Sequence, residues 1–275
     1  MLSESAIRDA VTGGLWTSVT VVPSTGSTNA DLLAAGGPEG QVLVAEEQTA
    51  GRGRMGRTWV SEPGAALTFS VLLRPFSTPD PAAGAAVSAA HADWRPLAPE
   101  RVGWLPLLAG VAVARGISEA SGLPATLKWP NDVLIDGRKL CGILAEQSGD
   151  VVVIGIGINV ATREDALPAG PGGLRATSLA AEGAEVPRDR LLVGILTQFA
   201  HHYSALRENP DSSAGQLVAE YEALCATLGR IVRVELPAGR TLSGEATGID
   251  PDGHLLVTDA GVTTSVSAGD VVHLR

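Results

Sequence analysis

Cysteine is scarce in this sequence of 275 residues, which contains only Cys141 and Cys225. Two thiols are too few for a disulfide framework or for a cysteine-rich zinc site. The five histidines never take a metal-ligand spacing such as HExxH. Because both cysteines lie in apolar stretches, we expect buried thiols rather than reactive ones. The sequence therefore predicts no metal centre made of protein side chains.

Basic residues are also few. The sequence has 20 lysines and arginines against 30 aspartates and glutamates, which gives a net charge of −10. A general nucleic-acid binder usually has a basic surface or a basic tail, and this chain has neither. No uninterrupted apolar run reaches the ~20 residues that cross a bilayer. The first residues lack the basic and apolar regions of a signal peptide. We therefore expect a cytoplasmic protein that binds neither DNA nor membranes.

The spacing of apolar residues predicts strands and helices in mixed order over residues 1–228. The predicted strands are 16–22, 41–46, 66–73, 125–129, 133–135, 139–146 and 151–160. The predicted helices are 29–35, 101–120, 187–207 and 214–228. The strand 151–160 is almost wholly apolar, which predicts a central position in a sheet covered on both faces.

The end of the chain has a different pattern, with short segments that alternate apolar and polar residues. These segments are 231–236, 241–249, 254–258 and 262–274. Such strands separated by tight turns predict a small antiparallel barrel. The predicted domains are therefore 1–228 and 229–275. Within the first domain, the proline- and alanine-rich segment 75–100 is predicted to be a mobile surface insertion.

The densest chemical signal is the heptapeptide 51–57, GRGRMGR, which places three arginines among three glycines. Glycines let backbone N–H groups approach a ligand, and arginines add fixed charge, so the segment predicts a loop that binds carboxylate or phosphate. It also matches GxGxxG, but a dinucleotide fingerprint needs a helix directly afterwards and an acidic residue about 20 positions later. Neither follows here. A solvated basic turn is the alternative explanation.

Two further signals follow in the middle of the chain. Residues 128–132, KWPND, place Lys128 at the end of an apolar strand, and Lys139 begins the return strand. Burying a lysine is costly unless it meets an anion, although an ordinary hairpin with edge lysines is equally consistent. Residues 155–159, GIGIN, place glycines in a buried strand, which indicates close approach by a ligand or tight backbone packing. Without an evident nucleophile, the pattern favours electrostatic catalysis of group transfer.

In their order and spacing, these motifs resemble those of the biotin protein ligases. The matching segments are Ser27-Thr28-Asn29, Gln48, GRGRMGRTW (51–59), KWPND (128–132), KLCGIL (139–144) and GIGIN (155–159). The similarity extends from about residue 16 to residue 275, with 75–100 outside it. The resemblance implies an α+β fold: a class II aminoacyl-tRNA synthetase-like catalytic domain with a mixed sheet, followed by a small C-terminal SH3-like β-barrel.

The resemblance also implies an activity. Family members use ATP and Mg²⁺ to convert biotin to biotinyl-5′-AMP, and then transfer biotin to one lysine of a biotin carboxyl carrier domain, typically that of acetyl-CoA carboxylase. Because only about two dozen residues precede Ser27, we expect the monofunctional type, without an N-terminal DNA-binding domain. Both a monomer and a homodimer remain open, as do the roles of the barrel and of segment 75–100.

Each implied role falls on a position that matches a family motif. The implied biotin-binding residues are Ser27, Thr28, Asn29, Gln48, Arg52, Gly53, Arg54 and Lys139. The implied ATP- or adenylate-binding residues are Arg54, Arg57, Trp59, Lys128, Asn131 and Asn159. The implied catalytic residues are Lys128, which would neutralise phosphate charge, Arg52, and Asp132, which would orient the incoming amine. Segment 175–179 is similar to the adenosine-side loop of the family.

Three other functions compete with this interpretation. A lipoate or octanoate ligase shares the catalytic fold, but the GRGRMGR loop is typical of the biotin branch. A biotin-responsive transcriptional regulator would need the DNA-binding domain that we do not expect. A binding module that holds biotin without turnover is disfavoured by the full set of lysines and arginines.

Overall fold

The computed structural model describes residues 2–11, 14–59, 62–78, 91–167, 174–236 and 239–274. The first sheet contains β1 (Ser18–Val22), β2 (Gln41–Ala45), β3 (Ala66–Leu73), β4 (Ala125–Lys128), β5 (Asp132–Ile135), β6 (Arg138–Ser148) and β7 (Val151–Asn159). The second contains β8 (Ile231–Glu235), β9 (Thr241–Ile249), β10 (Leu255–Asp259), β11 (Val262–Val266) and β12 (Asp270–His273). The described helices are α1 (Glu4–Val11), α2 (Thr28–Ala35), α3 (Trp104–Ser121), α4 (Arg188–Glu208) and α5 (Pro210–Leu224).

The first sheet is mixed, with the strand order β1-β2-β3-β7-β6-β5-β4. Strands β1 and β2 run parallel, and the other neighbours pair antiparallel. Strand β7 is central and buried, as its apolar sequence predicts. Helix α3 covers one face of the sheet, where Gly110 lies against Leu127 and Ile143. Helix α2 and the loop after β2 pack against the other face.

Helix boundaries differ from the prediction where tertiary contacts override the local pattern. Helix α5 begins at Pro210 rather than 214, because a proline at the first helical position lacks only an N–H that would be unpaired anyway. It ends at Leu224 rather than 228, because the Ala226 N–H donates to the Leu127 carbonyl at 2.8 Å and draws the chain onto the sheet edge. Helix α1 is absent from the prediction; it is short, and Ile7 is its buried residue.

The predicted strand 262–274 is two strands, and their positions explain why. Strand β11 pairs with β10 at one edge of the second sheet, whereas β12 pairs with β8 at the other edge. In a flat five-stranded sheet these edges would lie roughly 19 Å apart. The four residue steps from Val266 to Asp270 span at most about 14 Å. The sheet must therefore curl, as the predicted barrel requires.

The segment 75–100 is only partly described, because residues 79–90 lie outside the described ranges. Its final third is packed rather than loose, with Trp94 and Leu97 in the core. The fully buried Arg207 of α4 donates to the carbonyls of Arg95, Arg74 and Ser77 on both sides of the undescribed part. The buried Trp94 and Leu97 alternate with exposed residues such as Arg95 and Ala98, so the mobile surface insertion stays a prediction.

The two sheets are joined by tryptophans of the first domain. The indole N–H of Trp104 donates to the Pro251 carbonyl at 2.8 Å, and that of Trp129 donates to the Gly253 carbonyl at 3.1 Å. Both cysteines are buried, as predicted, and burial raises the pKa of the Cys141 thiol. Among the described residues, no helix is both long and apolar enough to cross a membrane.

Candidate functional site

The floor of the site is built from glycines on the central strands. A methyl group on Gly157 would lie 2.5 Å from Trp59 Cε2, and one on Gly142 would lie 3.5 Å from the same ring. A methyl group on Gly155 would overlap the Asn29 side chain. Because Gly142 and Gly157 are paired across β6 and β7, the absence of side chains there lets Trp59 and Asn29 lie directly on the sheet.

The first turn of α2 supplies polar groups beside this floor. Ser27 caps the helix, and its Oγ accepts a hydrogen bond from the Ala30 N–H. The cap fixes Thr28 and Asn29 at the end that faces β3 and β7, where both are buried. Capping satisfies backbone donors that would otherwise be unpaired at a helix N-terminus.

A continuous hydrogen-bond network holds these side chains in place. Thr28 N–H donates to Gln48 Oε1 at 2.8 Å, and Thr28 Oγ1 lies 2.6 Å from Ser70 Oγ. Ser70 donates to Asn29 Oδ1 at 2.6 Å, and Asn29 Nδ2 donates to Glu146 at 2.8 Å. Buried polar groups that satisfy one another in this way have fixed positions, so the network forms a rigid polar pocket.

The arginine-glycine loop folds back on itself above the pocket. The Trp59 N–H donates to the Gly51 carbonyl at 2.9 Å, and the Gly53 N–H donates to the Arg57 carbonyl at 2.8 Å. The tip turns through Met55 and Gly56, whose φ angles of 55° and 72° are left-handed. Gly56 adopts this conformation without a steric penalty. The loop is therefore a narrow hairpin that carries its arginines over the floor.

The tip of this loop contacts the C-terminal domain. Arg54 Nη1 donates to the Gly269 carbonyl at 3.3 Å and lies 3.8 Å from Asp270 Oδ1. Arg57 forms an ion pair with the other oxygen of Asp270. Arg54 also donates to Asn131 Oδ1 at 3.1 Å, which connects the loop to the KWPND turn. In this state one carboxylate of the second sheet therefore holds two arginines of the loop.

The predicted lysines meet at a single carboxylate. Lys139 Nζ lies 2.6 Å from Asp132 Oδ1, and Lys128 Nζ lies 3.8 Å from Asp132 Oδ2. Burial lowers the pKa of Lys128; Asp132 opposes this shift, and Lys139 adds to it. Two ammonium groups and one carboxylate leave one net positive charge when all are ionised. That charge is available to an anion in the adjoining cavity.

Segment 175–179 lies beside Lys139. The Lys139 N–H donates to the Arg175 carbonyl, and the Thr177 N–H donates to the Lys139 carbonyl, both at 2.8 Å. The Asn159 side chain donates to the Thr177 carbonyl at 3.0 Å. Asn159 therefore fixes this segment at the end of β7 through one of the two N–H groups of its side-chain amide.

These elements enclose a cavity of about 400 Å³, here called the first cavity. Twelve of the fourteen predicted site residues line it: Ser27, Thr28, Asn29, Gln48, Arg52, Gly53, Arg54, Arg57, Trp59, Asn131, Lys139 and Asn159. Lys128 and Asp132 do not lie on its wall. They lie behind this wall, where Asp132 contacts Lys139 and Lys128 pairs with the same carboxylate.

Comparison with known proteins gives the family. A model of the biotin/lipoate A/B protein ligase family matches residues 18–160, and a model of the biotin protein ligase C-terminal domain matches residues 227–274. This chain belongs to the biotin/lipoate A/B protein ligase family. The expected α+β fold, with a mixed-sheet catalytic domain and a C-terminal five-stranded antiparallel sheet domain, is confirmed.

Individual relatives in the ligase family match nearly the whole chain. The chain is 41% identical to a biotin–[acetyl-CoA-carboxylase] ligase of Mycobacterium tuberculosis, over 100% of this chain and 96% of the relative. It is 34% identical to a bifunctional ligase/repressor of Bacillus subtilis, over 97% of this chain and 78% of the relative. A solved biotin protein ligase from Aquifex aeolicus, in complex with biotin and ATP, covers 94% of this chain and 98% of its own, at 28% identity and a TM-score of 0.74.

Sequence reasoning missed several polar residues of this ligase-family site. Thr68 lines the first cavity, and Ser70 and Glu146 complete the network around Asn29. A usable signal was present in β3, where two hydroxyls at alternate positions interrupt the apolar run ALTFSVLL. Asp270 carried no such signal, because nothing local connects it with a loop more than 200 positions earlier.

Proposed function

We propose that this chain is an enzyme that activates biotin with ATP to biotinyl-5′-AMP and then transfers biotin to a lysine of a biotin carboxyl carrier domain, that of acetyl-CoA carboxylase. The observation that carries the proposal is the first cavity, where a rigid polar pocket, an arginine-glycine loop and Lys139, paired with Asp132, meet. The named activity of the M. tuberculosis relative and the biotin and ATP of the A. aeolicus structure support it.

The polar pocket suits the ring system of biotin. A ureido group has one carbonyl and two N–H groups, so it needs donors and acceptors at close and fixed positions. Ser27, Thr28, Asn29 and Gln48 offer both kinds of group at one end of the cavity. Because the hydrogen bonds of Ser70 and Glu146 hold this set in place, little conformational freedom is lost on binding.

The arginines and lysines suit the first half-reaction. The biotin carboxylate attacks the α-phosphorus of ATP, a C–O–P linkage forms, and pyrophosphate leaves with the electrons of the broken P–O bond. Two unit anions about 4 Å apart repel by roughly 4 kcal/mol at an effective dielectric constant of about 20. Arg52, Arg54 and Lys139 lie on the cavity wall, where they can offset that repulsion.

In this proposal Lys128 and Asp132 act from behind Lys139. Lys128 supplies the second ammonium group and so keeps the lysine cluster net positive toward the phosphate. Both oxygens of Asp132 face ammonium groups, which favours an orienting role for this carboxylate over a role as a general base. Trp59, Arg57, Asn131 and Asn159 are assigned to the nucleotide side of the cavity.

The Mg²⁺ in the proposal is an ion carried by the ATP phosphates, the usual mode for this metal. No group of three or more histidines, cysteines or carboxylates in the described parts of the chain is arranged to hold a metal ion. We place the division between the domains at 228/229, just before β8. The net charge of −10 supports our expectation that DNA takes no part in the reaction.

Biotin-dependent exchange of labelled pyrophosphate into ATP tests the proposal, with lipoate run in parallel. We expect exchange with biotin and none with lipoate, since the C-terminal match is to the biotin branch of the family. Exchange with lipoate alone would favour the other branch. No exchange with either acid, from folded protein supplied with Mg²⁺, would refute the ligase function and favour a binding module.

A further inference from the structure

The hydrogen bonds around Asn29 run in one fixed direction. Asn29 lies over Gly155 of β7 and reaches both neighbouring strands, β3 and β6. Its side-chain N–H groups donate to Glu146 Oε2 at 2.8 Å and to the Leu144 carbonyl at 3.2 Å, and its Oδ1 accepts from Ser70 at 2.6 Å. Turning the amide around would set its oxygen against two acceptors, one of them a carboxylate. Glu146 and the Leu144 carbonyl therefore fix which end of the amide faces Ser70.

This orientation of the amide decides where two hydroxyl protons go. Each hydroxyl group has one proton to donate. Ser70 donates its proton to Asn29, so in its 2.6 Å contact with Thr28 Oγ1 it must be the acceptor. Thr28 therefore donates to Ser70, although Gln48 Oε1 lies only 3.0 Å from the same hydroxyl. Because Ser70 is fully buried, water does not supply it with another proton.

The direction of the chain sets how many acceptors the pocket offers. Carbonyl and hydroxyl oxygens each have two lone pairs. With Thr28 donating to Ser70, the lone pairs of Thr28 Oγ1 are open, and Gln48 Oε1 accepts the Thr28 N–H with capacity left over. In the opposite direction Asn29 would donate to Ser70, and Ser70 to Thr28. The Thr28 proton would then fill the second lone pair of Gln48 Oε1, so the pocket would lose most of its open acceptor sites.

We infer that Glu146 determines the specificity of the biotin pocket, although it does not line the first cavity itself. The inference rests on the proposed function, because the ureido group of biotin brings two N–H donors that need open acceptors. Thr28 and Gln48 line the first cavity, and Glu146 keeps their oxygens open by fixing the direction of the chain from three hydrogen bonds away. Glu146 is thus a positioning residue that favours ligands with N–H donors.

Two substitutions at Glu146 grade the effect. In Glu146→Lys the new side chain only donates, so the amide of Asn29 must turn and the chain must reverse. In Glu146→Gln the new amide can accept or donate, so the direction is no longer fixed. We expect Glu146→Lys to raise the KM for biotin in pyrophosphate exchange roughly 2- to 12-fold, the equivalent of one neutral hydrogen bond, and Glu146→Gln to lie between it and wild type.

The split between kinetic parameters identifies where Glu146 acts. The ureido ring is remote from the reacting carboxylate, so kcat and the KM for ATP should stay within about twofold of wild type. Glu245→Lys, at an exposed carboxylate on β9, is the matched control for the change of charge, and it should leave the KM for biotin unchanged. An unchanged KM for biotin in folded Glu146→Lys would overturn the inference.

Ser70→Ala separates control of direction from a merely structural role. Without the Ser70 hydroxyl the chain from Asn29 to Thr28 is cut, and the Thr28 proton goes to Gln48 whatever residue occupies position 146. Ser70→Ala should therefore raise the KM for biotin by itself, and adding Glu146→Lys should change it less than about twofold further. Fully additive effects of the two substitutions would contradict the inference.

Desthiobiotin tests which part of the ligand is recognised, because it keeps the ureido group and lacks the ring sulfur. We expect Glu146→Lys to raise the KM for desthiobiotin by the same factor as that for biotin. A clearly smaller factor would place the effect at the sulfur and overturn the inference. Absence of biotin-dependent exchange in the wild type would instead refute the proposed ligase function, so the two failures are distinguishable.

Discussion

Two alanine substitutions, two positions apart on β7, are expected to impair different substrates. In Gly155→Ala the new methyl group overlaps Asn29, and in Gly157→Ala it lies 2.5 Å from Trp59 Cε2. Strand β7 is bonded to neighbours on both sides, so its backbone cannot retreat. In each case the opposing side chain must move by about 1 Å to regain ordinary contact.

The size of each effect follows from the hydrogen bonds and packing that the new methyl group disrupts. Asn29 is hydrogen-bonded to Ser70 at 2.6 Å and to Glu146 at 2.8 Å, and each such bond contributes about 0.5–1.5 kcal/mol. Losing both of them in the biotin pocket costs about 1–3 kcal/mol, or roughly 5- to 150-fold in affinity. Displacing the Trp59 ring is an overpacking change, which typically costs about 1–3 kcal/mol as well.

Pyrophosphate exchange with one substrate varied and the other saturating separates the two variants. We expect Gly155→Ala to raise the KM for biotin and Gly157→Ala to raise the KM for ATP, each with the smaller effect on the other substrate. Gly215→Ala is the control, because a methyl group there meets nothing within 4 Å. If both β7 variants raised the same KM, or neither raised any, the proposed arrangement of substrates on the glycine floor would be wrong.

Four further outcomes are expected. Lys128→Ala should slow exchange by about two orders of magnitude or more, as the loss of a key electrostatic group does; near wild-type exchange would contradict its role. Arg54→Gly should let biotinyl-5′-AMP escape faster than wild type in a filter-retention assay, since the loop closes the cavity, and equal retention would exclude a lid. Arg207→Met should cost about 3–5 kcal/mol in urea unfolding, because it leaves the partly buried carboxylate of Glu39 without its cation, whereas the exposed Arg190→Met on the same helix should cost little. Burial lowers the pKa of His273 from 6.5 to about 4. Between pH 6.5 and about 4, His273 is therefore protonated in the unfolded chain but neutral in the folded chain. The free energy of unfolding therefore falls as the pH drops through this range. His273→Gln should lose less stability than wild type in thermal melts across the window, and identical pH dependence would refute the assignment.

Local chemistry made much of the fold predictable. The Ser27 cap, the strand 66–73 and the Asp136-Gly137 turn each follow from neighbours in sequence. Both residues of that turn have positive φ angles, 48° and 70°, as the tight hairpin signal requires. Where long-range pairing decides, as at the end of α5, the same reasoning misplaced the boundary by four residues.

The candidate site was likewise predictable where the signal is local in sequence, and not where residues distant in sequence come together. Residues inside a motif, such as Arg52 or Lys139, were predicted from the glycine, arginine and lysine patterns and line the first cavity, whereas Gln48 was predicted only through the family resemblance. Residues that only support the motifs were not found, because Ser70 and Glu146 contribute their hydrogen bonds from strands that are distant in sequence. The placement of Lys128 relative to Lys139 also depends on the registers between β4 and β5 and between β5 and β6, which no single segment contains.

The contacts of Asp270 change what it means for an anion to bind. Arg54 and Arg57 already have a counter-ion from the C-terminal domain, so a ligand must displace that carboxylate rather than meet bare charge. The free energy of binding then depends on the difference in free energy between the ion pair with the ligand and the ion pair with Asp270. Chloride and inorganic phosphate gain little from such an exchange, whereas a ligand with many other contacts can complete it. The Asp270 carboxylate thus makes the loop selective, because it competes with the abundant small anions of the surrounding solution for the two arginines.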